Sequence, residues 1–429
     1  MSALSKRTGN IFYGWWIVGA GIVLCMFGYG GWFYSFGTLF NPISSEFGWS
    51  RATTSLAFSL SRLEGGIEGL ITGPLVDKFG PRFWVRVGFT MAAIGFFLMY
   101  KINNLWMFIL TYSLLLSLGM NAGLYTPLQT AVAKWFNQKR GIALGLLTTG
   151  AAIGGFILTP FTAWLITEYT WRTAVLVLGG MALVLGWSMS FILRPKGPEA
   201  YGLTMDGITA EQLALQSQAK KETHSADYGL TLKQALKTRA FWLMVVAFTC
   251  SHTAVSAIVV HEIPLIEDMG ISKVAAATAL GMMTLMSAPG RLCGGWLADK
   301  WNIKYLYSIS SIAQAGSLYI FANATNMTWV WVFVVAYGLS YGFRIPLEPS
   351  MRAQFFGQKA FGAIMGYMNA FAVLGSFAGP YFAGWVYDTF GSYARAFIVF
   401  AAMMIITAVV VLFLKSPLQH SEKAITPAH

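Results

Sequence analysis

The sequence predicts an all-α membrane protein of twelve transmembrane helices, arranged as two six-helix repeats with both termini in the cytoplasm. Three observations support this fold class. The apolar fraction of the 429 residues is 56% and the charged fraction 11%, less than half of the roughly 25% usual for soluble domains. Apolar runs of about 20 residues, long enough to cross a bilayer as helices, recur along the chain. Several sequence patterns also occur twice in the same order.

The apolar runs divide into six before and six after one long polar segment. The first six cover approximately 14–39, 52–76, 84–100, 105–133, 141–165 and 173–193. The second six cover 240–266, 274–298, 305–322, 329–351, 361–386 and 393–414. The polar segment between Arg194 and Arg239 contains seven Lys or Arg. We therefore expect an N-terminal half over 1–193, a cytoplasmic linker over 194–239, and a C-terminal half with a short tail over 240–429.

The distribution of basic residues predicts the orientation in the membrane. With these spans, five of the 29 Lys and Arg fall in the connections on one side, and most of the others fall on the opposite side. Because Lys and Arg are enriched in cytoplasmic loops, we assign the basic side, with both termini, to the cytoplasm. This topology also accounts for the net charge of +12, so we expect membrane lipid and no nucleic acid as a partner.

The two halves repeat each other. Gly73-x3-Asp77-Lys78 recurs as Gly295-x3-Asp299-Lys300, a spacing of 222 residues. Two further patterns, beginning at Phe136 and Gly155, recur 220 residues later. Three matches in register indicate a duplicated six-helix unit. Halves related in this way occur in secondary transporters, which bind substrate at the interface between halves near the membrane midplane.

Arg291 lies deep within the eighth apolar run. Thr284, Ser287 and Arg291 recur at i, i+3 and i+7, so a helix places them on one face. A guanidinium at that depth is tolerated mainly where it meets water, a counter-ion or an anionic ligand. Its planar fork also matches a carboxylate bidentately. We predict that Arg291 binds a substrate carboxylate; the alternative is a structural ion pair with a buried acid.

Motifs of other chemistries are absent from the sequence. The three cysteines are far apart, and no His, Cys and acid cluster has metal-ligand spacing. There is no phosphate-binding loop and no nucleophile elbow. The sequence therefore predicts neither a metal nor a cofactor, and no enzymatic activity. A membrane-embedded enzyme would need acids or histidines clustered at one depth, whereas the acids here are scattered.

Several stretches resemble known transporter families. Asp77-Lys78-Phe79-Gly80-Pro81-Arg82 resembles the signature loop of the major facilitator superfamily, with a weaker copy at 295–300. Tyr13-Gly14-Trp15-Trp16, the stretch Trp135 to Gly141, and Gly290-Arg291-Leu292-Cys293-Gly294 resemble its monocarboxylate and oxalate–formate transporter branches. The resemblance covers nearly the whole chain outside the linker. It implies the twelve-helix major facilitator fold and transport by alternating access.

The resemblance has consequences for particular site residues. Arg291 matches the arginine with which these transporters hold the substrate, and Tyr125 resembles a tyrosine that contacts it. The span-one lysine of the monocarboxylate branch aligns roughly with Tyr34, and its aspartate before the arginine aligns with Ser287. Proton coupling by that set therefore cannot be carried over. The oxalate branch has a second cation in span eleven, where the stretch around Asn369 has none, which favours one clamped carboxylate over two.

Other polar residues on helical faces complete the candidate substrate site. Asn121 and Tyr125 are four residues apart in span four, and Tyr341 lies on the face of span ten that we expect to line a cavity. We also assign Tyr34 and Asn369 to substrate binding. A packed aromatic is the alternative for Tyr125. His252 is the first candidate proton carrier because histidine titrates near neutral pH, with a structural histidine as the alternative. Glu64 is the second candidate.

Charged residues within or beside the spans are candidates for gating. Arg344 and Glu348 are four residues apart and can pair on one helix face, which favours a mainly structural role. His261-Glu262 precedes Pro264 and looks like an outer gate or a helix-end feature. The residues that we assign to gating each lie in a span or in a signature loop: Arg62, Asp77, Arg82, Asp299, Arg344 and Glu348.

Together, these features predict a secondary active transporter that crosses the cell inner membrane several times and works as a monomer. We expect symport of protons and a small monocarboxylate of the lactate or pyruvate kind, with Arg291, Tyr125, Asn121 and Ser287 holding the substrate. An organic-anion exchanger or exporter is the alternative within the same class, because the mode of coupling leaves little trace in a sequence.

Overall fold

The computed structural model describes residues 12–207, 229–298, 300–357 and 359–418. The side chains of 66–71, 73 and 77 fall outside this description. The described residues form a bundle of long helices, and their single β interaction is an isolated antiparallel bridge between Gly229 and Gly357. The all-α prediction is confirmed.

The N-terminal half contains eight α-helices and two π-helical segments. The first span is α1 (Gly14–Cys25), a π-helical segment (Met26–Tyr34, here π1) and α2 (Phe36–Phe47). It is followed by α3 (Arg51–Phe79), α4 (Pro81–Met99), α5 (Leu105–Ile109), a second π-helical segment (Leu110–Ser117), α6 (Leu118–Trp135), α7 (Arg140–Glu168) and α8 (Trp171–Ile192).

The C-terminal half follows the linker. A short helix α9 (Leu232–Leu236) precedes α10 (Arg239–Asp268) and α11 (Lys273–Ala298). The remaining helices are α12 (Ile303–Ala322), α13 (Met327–Arg344), α14 (Leu347–Phe356), α15 (Phe361–Phe390) and α16 (Ala394–Leu412).

Helix starts follow ordinary capping chemistry. The Ser50 Oγ accepts a hydrogen bond from the backbone N–H of Thr53 at the start of α3. Thr238 begins α10 in the same way, and Asn302 begins α12. These side chains satisfy backbone donors that have no partner within the helix. At these three helices the sequence therefore sets the point at which the chain turns into the bundle.

Nine helices of the described chain are long and apolar enough to cross a membrane. Three further long helices, α3, α11 and α12, coincide with predicted spans but do not meet that criterion. Two of them contain charged or polar residues that are described below: Arg62 and Glu64 in α3, and Thr284, Ser287 and Arg291 in α11. The count of twelve crossings and the cytoplasmic location of the termini therefore stay predictions.

The two halves pack by the same pairing of elements. In the N-terminal half, α4 contacts α6 and α8, and α7 contacts α1 and π1. In the C-terminal half, α12 contacts α13 and α16, and α15 contacts α10. Backbones approach closely at glycines: a Cβ on Gly154 of α7 would lie 2.1 Å from the Met26 carbonyl oxygen. A side chain there would force α7 away from π1.

The described first part of the linker, up to residue 207, is attached to the N-terminal half. Asp206 has a positive φ of 60° and is buried. Its carboxylate accepts hydrogen bonds from the backbone N–H groups of Asn137, Gln138 and Lys139, at 3.0, 2.8 and 3.1 Å. These groups lie just before the N-terminus of α7, where a negative charge is favourable. The division of the chain at 193 and 239 is not tested by these contacts and stays a prediction.

Candidate substrate site

A cavity of about 390 Å³ lies between the two halves. Tyr29 and Tyr34 line it from π1, Tyr125 from α6, Arg291 from α11 and Tyr341 from α13. π-Helical turns are frequent at functional sites, and here the turn places both π1 tyrosines on the cavity. Four of the predicted substrate residues are therefore brought together by elements from both halves.

The Arg291 guanidinium has little of its hydrogen-bonding capacity satisfied by the protein. One Nη donates to the Thr148 carbonyl oxygen at 3.3 Å, which joins α11 to α7 across the halves. The Arg291 Nε is buried and has no hydrogen-bond partner among the described residues. Within the same residues, no carboxylate lies within ion-pair distance of Arg291. A buried cation without a counter-ion is a site at which an anion gains stability.

Aromatic hydroxyls surround this guanidinium. The side chains of Tyr29 and Tyr34 line the same cavity as Arg291 and lie within the range over which its charge acts on their hydroxyls. Tyr34 is buried at 5% exposure, whereas Tyr125 is 56% exposed and stands at the open part of the cavity. A planar cation surrounded by phenolic hydroxyls can hold a carboxylate bidentately and still offer hydrogen bonds to its substituents.

A second cavity of about 650 Å³ adjoins the first. Tyr29, Tyr125 and His252 line both cavities. Asn121 and Asn369, predicted as substrate residues, line the second cavity only. The Asn121 Nδ2 is buried without a partner in the described structure, and the Asn369 Oδ1 accepts a hydrogen bond from Arg352 at 3.2 Å.

Charged residues cluster on one wall of the Arg291 cavity. The Glu348 carboxylate lies 3.6 Å from the His252 Nε2, 3.8 Å from the Arg344 Nε and 3.6 Å from an Nη of Arg352. Arg344 and Arg352 are 2% and 4% exposed, so their charges depend on this acid for compensation. His252 remains partly open to the cavity. The cluster therefore combines the predicted Arg344–Glu348 pair with the predicted proton carrier.

The structure does not bring Ser287 to the substrate cavity. Its Oγ donates to the Thr284 carbonyl oxygen at 2.5 Å, and a Cβ on Gly342 would lie 2.0 Å from the Ser287 carbonyl oxygen. Ser287 is thus packed between α11 and α13. The Thr284 hydroxyl donates to the Gly281 and Ala152 carbonyl oxygens at 2.7 and 3.2 Å. Of the three polar residues predicted on one face, Arg291 is the one that lines the cavity.

The remaining predicted residues have separate environments. Arg62 lines the second cavity, and its guanidinium lies 4.8 Å from the Phe33 ring centroid. Glu64 is not among the residues lining either cavity. Arg82 lies over the Phe191 ring at 5.1 Å. Asp299 and the side chain of Asp77 lie outside the described residues.

The comparison with known proteins identifies the family. A sequence profile described as Major Facilitator Superfamily matches residues 20–347. The chain belongs to the major facilitator superfamily. It is therefore a multi-pass membrane transporter and not an enzyme, as the sequence predicts.

Individual relatives of this superfamily member are distant. Monocarboxylate transporter 13 from Rattus norvegicus is 26% identical over 373 residues, which cover 86% of this chain and 82% of the relative. Monocarboxylate transporter 12 from Mus musculus is 24% identical over 406 residues, covering 89% and 80%. A bacterial homologue of the human lysosomal transporter Spinster, in an inward-facing and unoccupied conformation, has a TM-score of 0.70 at 13% identity, covering 98% of this chain and 100% of that one. The structural likeness supports the fold alone.

Sequence reasoning missed the contacts that close one end of this superfamily member. Arg51 of α3 binds Asp268 of α10 bidentately, with both N–O distances 2.7 Å, and donates to the Tyr393 hydroxyl at 2.8 Å. Asp388 of α15 accepts from the backbone N–H groups of Arg51 and Ala52 at 2.9 and 2.8 Å. We call this end, where Arg51, Asp268, Asp388 and Tyr393 meet, the sealed end.

Further contacts extend the sealed end toward the cavity. Asn41 of α2 donates to the Glu267 carboxylate. His261 contacts the Ser55 hydroxyl at 3.1 Å and the Tyr393 hydroxyl at 2.9 Å. A Cβ on Gly384 would lie 2.7 Å from the Ala52 nitrogen. Hydrogen bonds between described residues of the two halves run from this end to the level of Arg291.

Proposed function

We propose that this chain is a secondary transporter that binds a small organic monocarboxylate at Arg291 and moves it together with protons across the cell inner membrane. The observation that carries the proposal is the Arg291 guanidinium, whose buried Nε has no described partner and which faces a cavity between the halves without a described counter-ion. The monocarboxylate transporters among its relatives favour this substrate class. Both termini are cytoplasmic in this proposal, and the chain works as a monomer.

The cavity favours a small substrate with one carboxylate. Its volume of about 390 Å³ is at the lower end of ligand pockets, which hold roughly 300–1,000 Å³. Arg291 binds the carboxylate, and the hydroxyls of Tyr34, Tyr125 and Tyr341 orient the rest of the molecule. Asn121 and Asn369 contact the substrate as it passes through the second cavity. Ser287 has no role in binding, since it is packed between helices.

Alternating access follows from the contacts between the halves. In the conformation described, the sealed end is closed, and we infer that the cavity opens toward the other end. Transport requires the contacts of Arg51 with Asp268 and Asp388 to break while the other end closes around the signature loops. We assign Asp77, Arg82 and Asp299 to that second closure. Arg344 and Glu348 hold α13 and α14 together beside the cavity, and Arg62 forms a wall of the second cavity.

Coupling requires a group that takes up and releases a proton. His252 is favoured over Glu64 for contact with cavity water, because it lines both cavities and lies beside Glu348. Neutralising the Glu348 carboxylate by a protonated His252 would change the charge balance next to Arg291. This local electrostatic link supports a coupling role for the wall that carries both residues.

Uptake into proteoliposomes tests the proposed function. Lactate and pyruvate are supplied outside, with and without an inside-alkaline pH gradient, and exchange is measured by counterflow. Accumulation that needs the gradient supports proton symport. Counterflow without stimulation by the gradient indicates an exchanger. Absence of both with monocarboxylates, in protein that retains its folded helix content, would remove the proposed substrate class.

A further inference from the structure

Glu262 of α10 is a buried acid that does not line either cavity of the candidate substrate site. Its side chain is 0% exposed, and neither carboxylate oxygen has a hydrogen-bond partner among the described residues. An ionised carboxylate in such an environment is strongly disfavoured, so the group is neutral in the closed surroundings that it occupies here. A neutral carboxyl group is one that carries a proton.

Glu262 lies between the cavity and the sealed end. Val255 lines the Arg291 cavity, and Glu262 follows it by seven residues, which places both on the same face of α10, about 10 Å apart along the helix. Asp268, bound to Arg51, lies six residues further on. The carboxyl group is thus separated from cavity water by two helical turns, and from water outside by the contacts of the sealed end.

A second polar group without a partner lies near Glu262. The Tyr337 hydroxyl of α13 is buried and has no hydrogen-bond partner in the described structure. This hydroxyl lies within the range over which a charge on Glu262 would act on it. Tyr337 stacks on Tyr341 with ring centroids 6.2 Å apart, and Tyr341 lines the Arg291 cavity. The Tyr337 hydroxyl therefore lies on the way from Glu262 to the cavity.

Other titratable groups around this part of α10 are engaged elsewhere. His261 points toward α3 and α15, where it contacts Ser55 and the Pro380 carbonyl oxygen. The elements packed against α10 contribute further titratable groups. Tyr29 and Tyr34 of π1 face Arg291, Glu46 of α2 is bound to Arg172, and Lys273 of α11 is bound to Glu267. Asp388 of α15 is bound to backbone N–H groups, and Tyr393 and Arg395 lie at the start of α16. Among the described residues, no cation lies within ion-pair distance of Glu262.

We propose that Glu262 is a proton-binding site of this transporter, and that the sealed end closes only after Glu262 has taken up a proton. When the sealed end is open, outside water reaches the carboxylate, and a carboxylate oxygen accepts a proton from that water. The neutral group is then buried as Arg51 and Asp268 come together. The proton leaves toward the cavity past the Tyr337 hydroxyl. This inference rests on the proposed function and adds to His252, which lies beside the substrate cavity, a second group that links the proton to closure of the sealed end.

The sign of the pH dependence follows from linkage. The closed conformation binds the proton more tightly than the open conformation does, so low pH favours closure of the sealed end and high pH favours its opening. One linked proton changes the ratio of the two conformations by at most about tenfold per pH unit. Replacing Glu262 by Gln keeps the shape of the neutral acid but removes the proton site, and so removes this dependence.

The first experiment measures the sealed end directly, without substrate. Thr38 of α2 is fully buried three residues before Asn41, so a Thr38→Cys reporter in a background lacking the native cysteines is accessible from outside only when the sealed end opens. Labelling by an impermeant thiol reagent, expressed relative to an exposed cysteine at Ser392 so that ionisation of the thiol itself cancels, should accelerate several-fold from mildly acidic to alkaline pH. Glu262→Gln should abolish that acceleration, Glu262→Asp should retain it, and Glu168→Gln, which removes an exposed acid, should leave it unchanged. Equal pH dependence in wild type and Glu262→Gln would overturn the inference.

The second experiment separates this inference from the proposed function. In proteoliposomes, Glu262→Gln should lose stimulation by the pH gradient and keep counterflow of lactate or pyruvate. If the wild type transports monocarboxylate without any stimulation, proton symport fails, and the labelling result alone decides whether Glu262 binds a proton. If Glu262→Gln accumulates substrate as the wild type does, Glu262 is not the coupling group. Thermal unfolding of each purified variant shows whether a loss reflects misfolding.

Discussion

The bidentate contact between Arg51 and Asp268 should determine how often the sealed end opens. We choose the substitution Asp268→Asn, which keeps the side-chain shape and removes the charge. Two hydrogen bonds of 2.7 Å join the charged groups in the wild type; the amide has one acceptor oxygen, so one of them is lost and the other loses the charge of its acceptor. The Arg51 contacts with Tyr393 and Asp388 remain, so the seal is weakened and not abolished.

The size of the effect follows from geometry and exposure. A hydrogen bond to a charged group contributes about 1.5–3 kcal/mol net. The two side chains are 16% and 33% exposed, and screening by water reduces the contribution of such a pair. We therefore expect Asp268→Asn to destabilise the closed conformation by about 1–3 kcal/mol, which corresponds to roughly a 5- to 150-fold change in the ratio of closed to open molecules.

The assay is the rate at which an impermeant thiol reagent labels the Thr38→Cys reporter from outside. Labelling should be faster in Asp268→Asn by a factor in that range. The matched control is Glu46→Gln, which breaks the contact of Glu46 with Arg172 at 2.5 Å. That pair joins α2 to α8 within one half, so the control should leave labelling unchanged. Equal labelling rates in Asp268→Asn and the wild type, with both proteins folded, would refute the role that we assign to the sealed end.

Two further predictions concern topology and stability. A cysteine at Ala200, in the linker, should be protected from an impermeant thiol reagent added outside intact cells, whereas a cysteine at Ser392 should react; the opposite order would contradict the cytoplasmic assignment of the termini. Glu348→Gln removes the acid beside two buried arginines, and breaking such a buried pair costs about 3–5 kcal/mol. Purified Glu348→Gln should therefore unfold at a clearly lower temperature than Glu46→Gln, whose partly exposed pair contributes about 0–1 kcal/mol; similar unfolding temperatures would show that Glu348 does not compensate the arginines.

Arg291 could be predicted to line a cavity because a charge within an apolar run is expensive wherever it does not meet water or an anion. The same argument fails for Ser287. A serine in a helix can donate to a carbonyl oxygen of its own preceding turn, as Ser287 does to Thr284, so a hydroxyl on a polar face need not mark a wet surface. Helical spacing identifies a shared face, but tertiary packing decides which part of that face is open.

The sealed end could not be predicted from one sequence. Arg51 and Asp268 are 217 residues apart, and each lies at a helix end, where a charge is ordinary. Only the packing of α3 against α15 and of α2 against α10 brings the groups together. The π-helical turn of the first span was also missed, because its apolar run looks like a continuous helix. Its effect is local but important, since it places Tyr29 and Tyr34 on the cavity.

His261 and Glu262 illustrate a partial success. Their position before Pro264 suggested an outer gate or a helix end, and His261 does contact residues of the sealed end. The sequence could not show that the neighbouring Glu262 is fully buried, because adjacent residues of a helix point in directions about 100° apart. Burial without a partner is a property of the packed bundle.

The central claim of this account is that Arg291 binds the carboxylate of the substrate. The measurement that tests it most directly is the affinity of purified protein for lactate or pyruvate, compared between the wild type, Arg291→Lys and Arg395→Lys. Arg395 is an exposed residue that lies over the Phe390 ring, so its substitution controls for the loss of a guanidinium as such. All three proteins should have similar unfolding temperatures.

Lysine keeps the positive charge at position 291 but loses the planar fork that holds a carboxylate through two hydrogen bonds. Loss of one hydrogen bond to a charged group, about 1.5–3 kcal/mol, predicts an affinity that is roughly 10- to 150-fold weaker in Arg291→Lys. Arg395→Lys should bind as the wild type does. Wild-type affinity in folded Arg291→Lys would contradict the assignment of Arg291 as the carboxylate-binding residue.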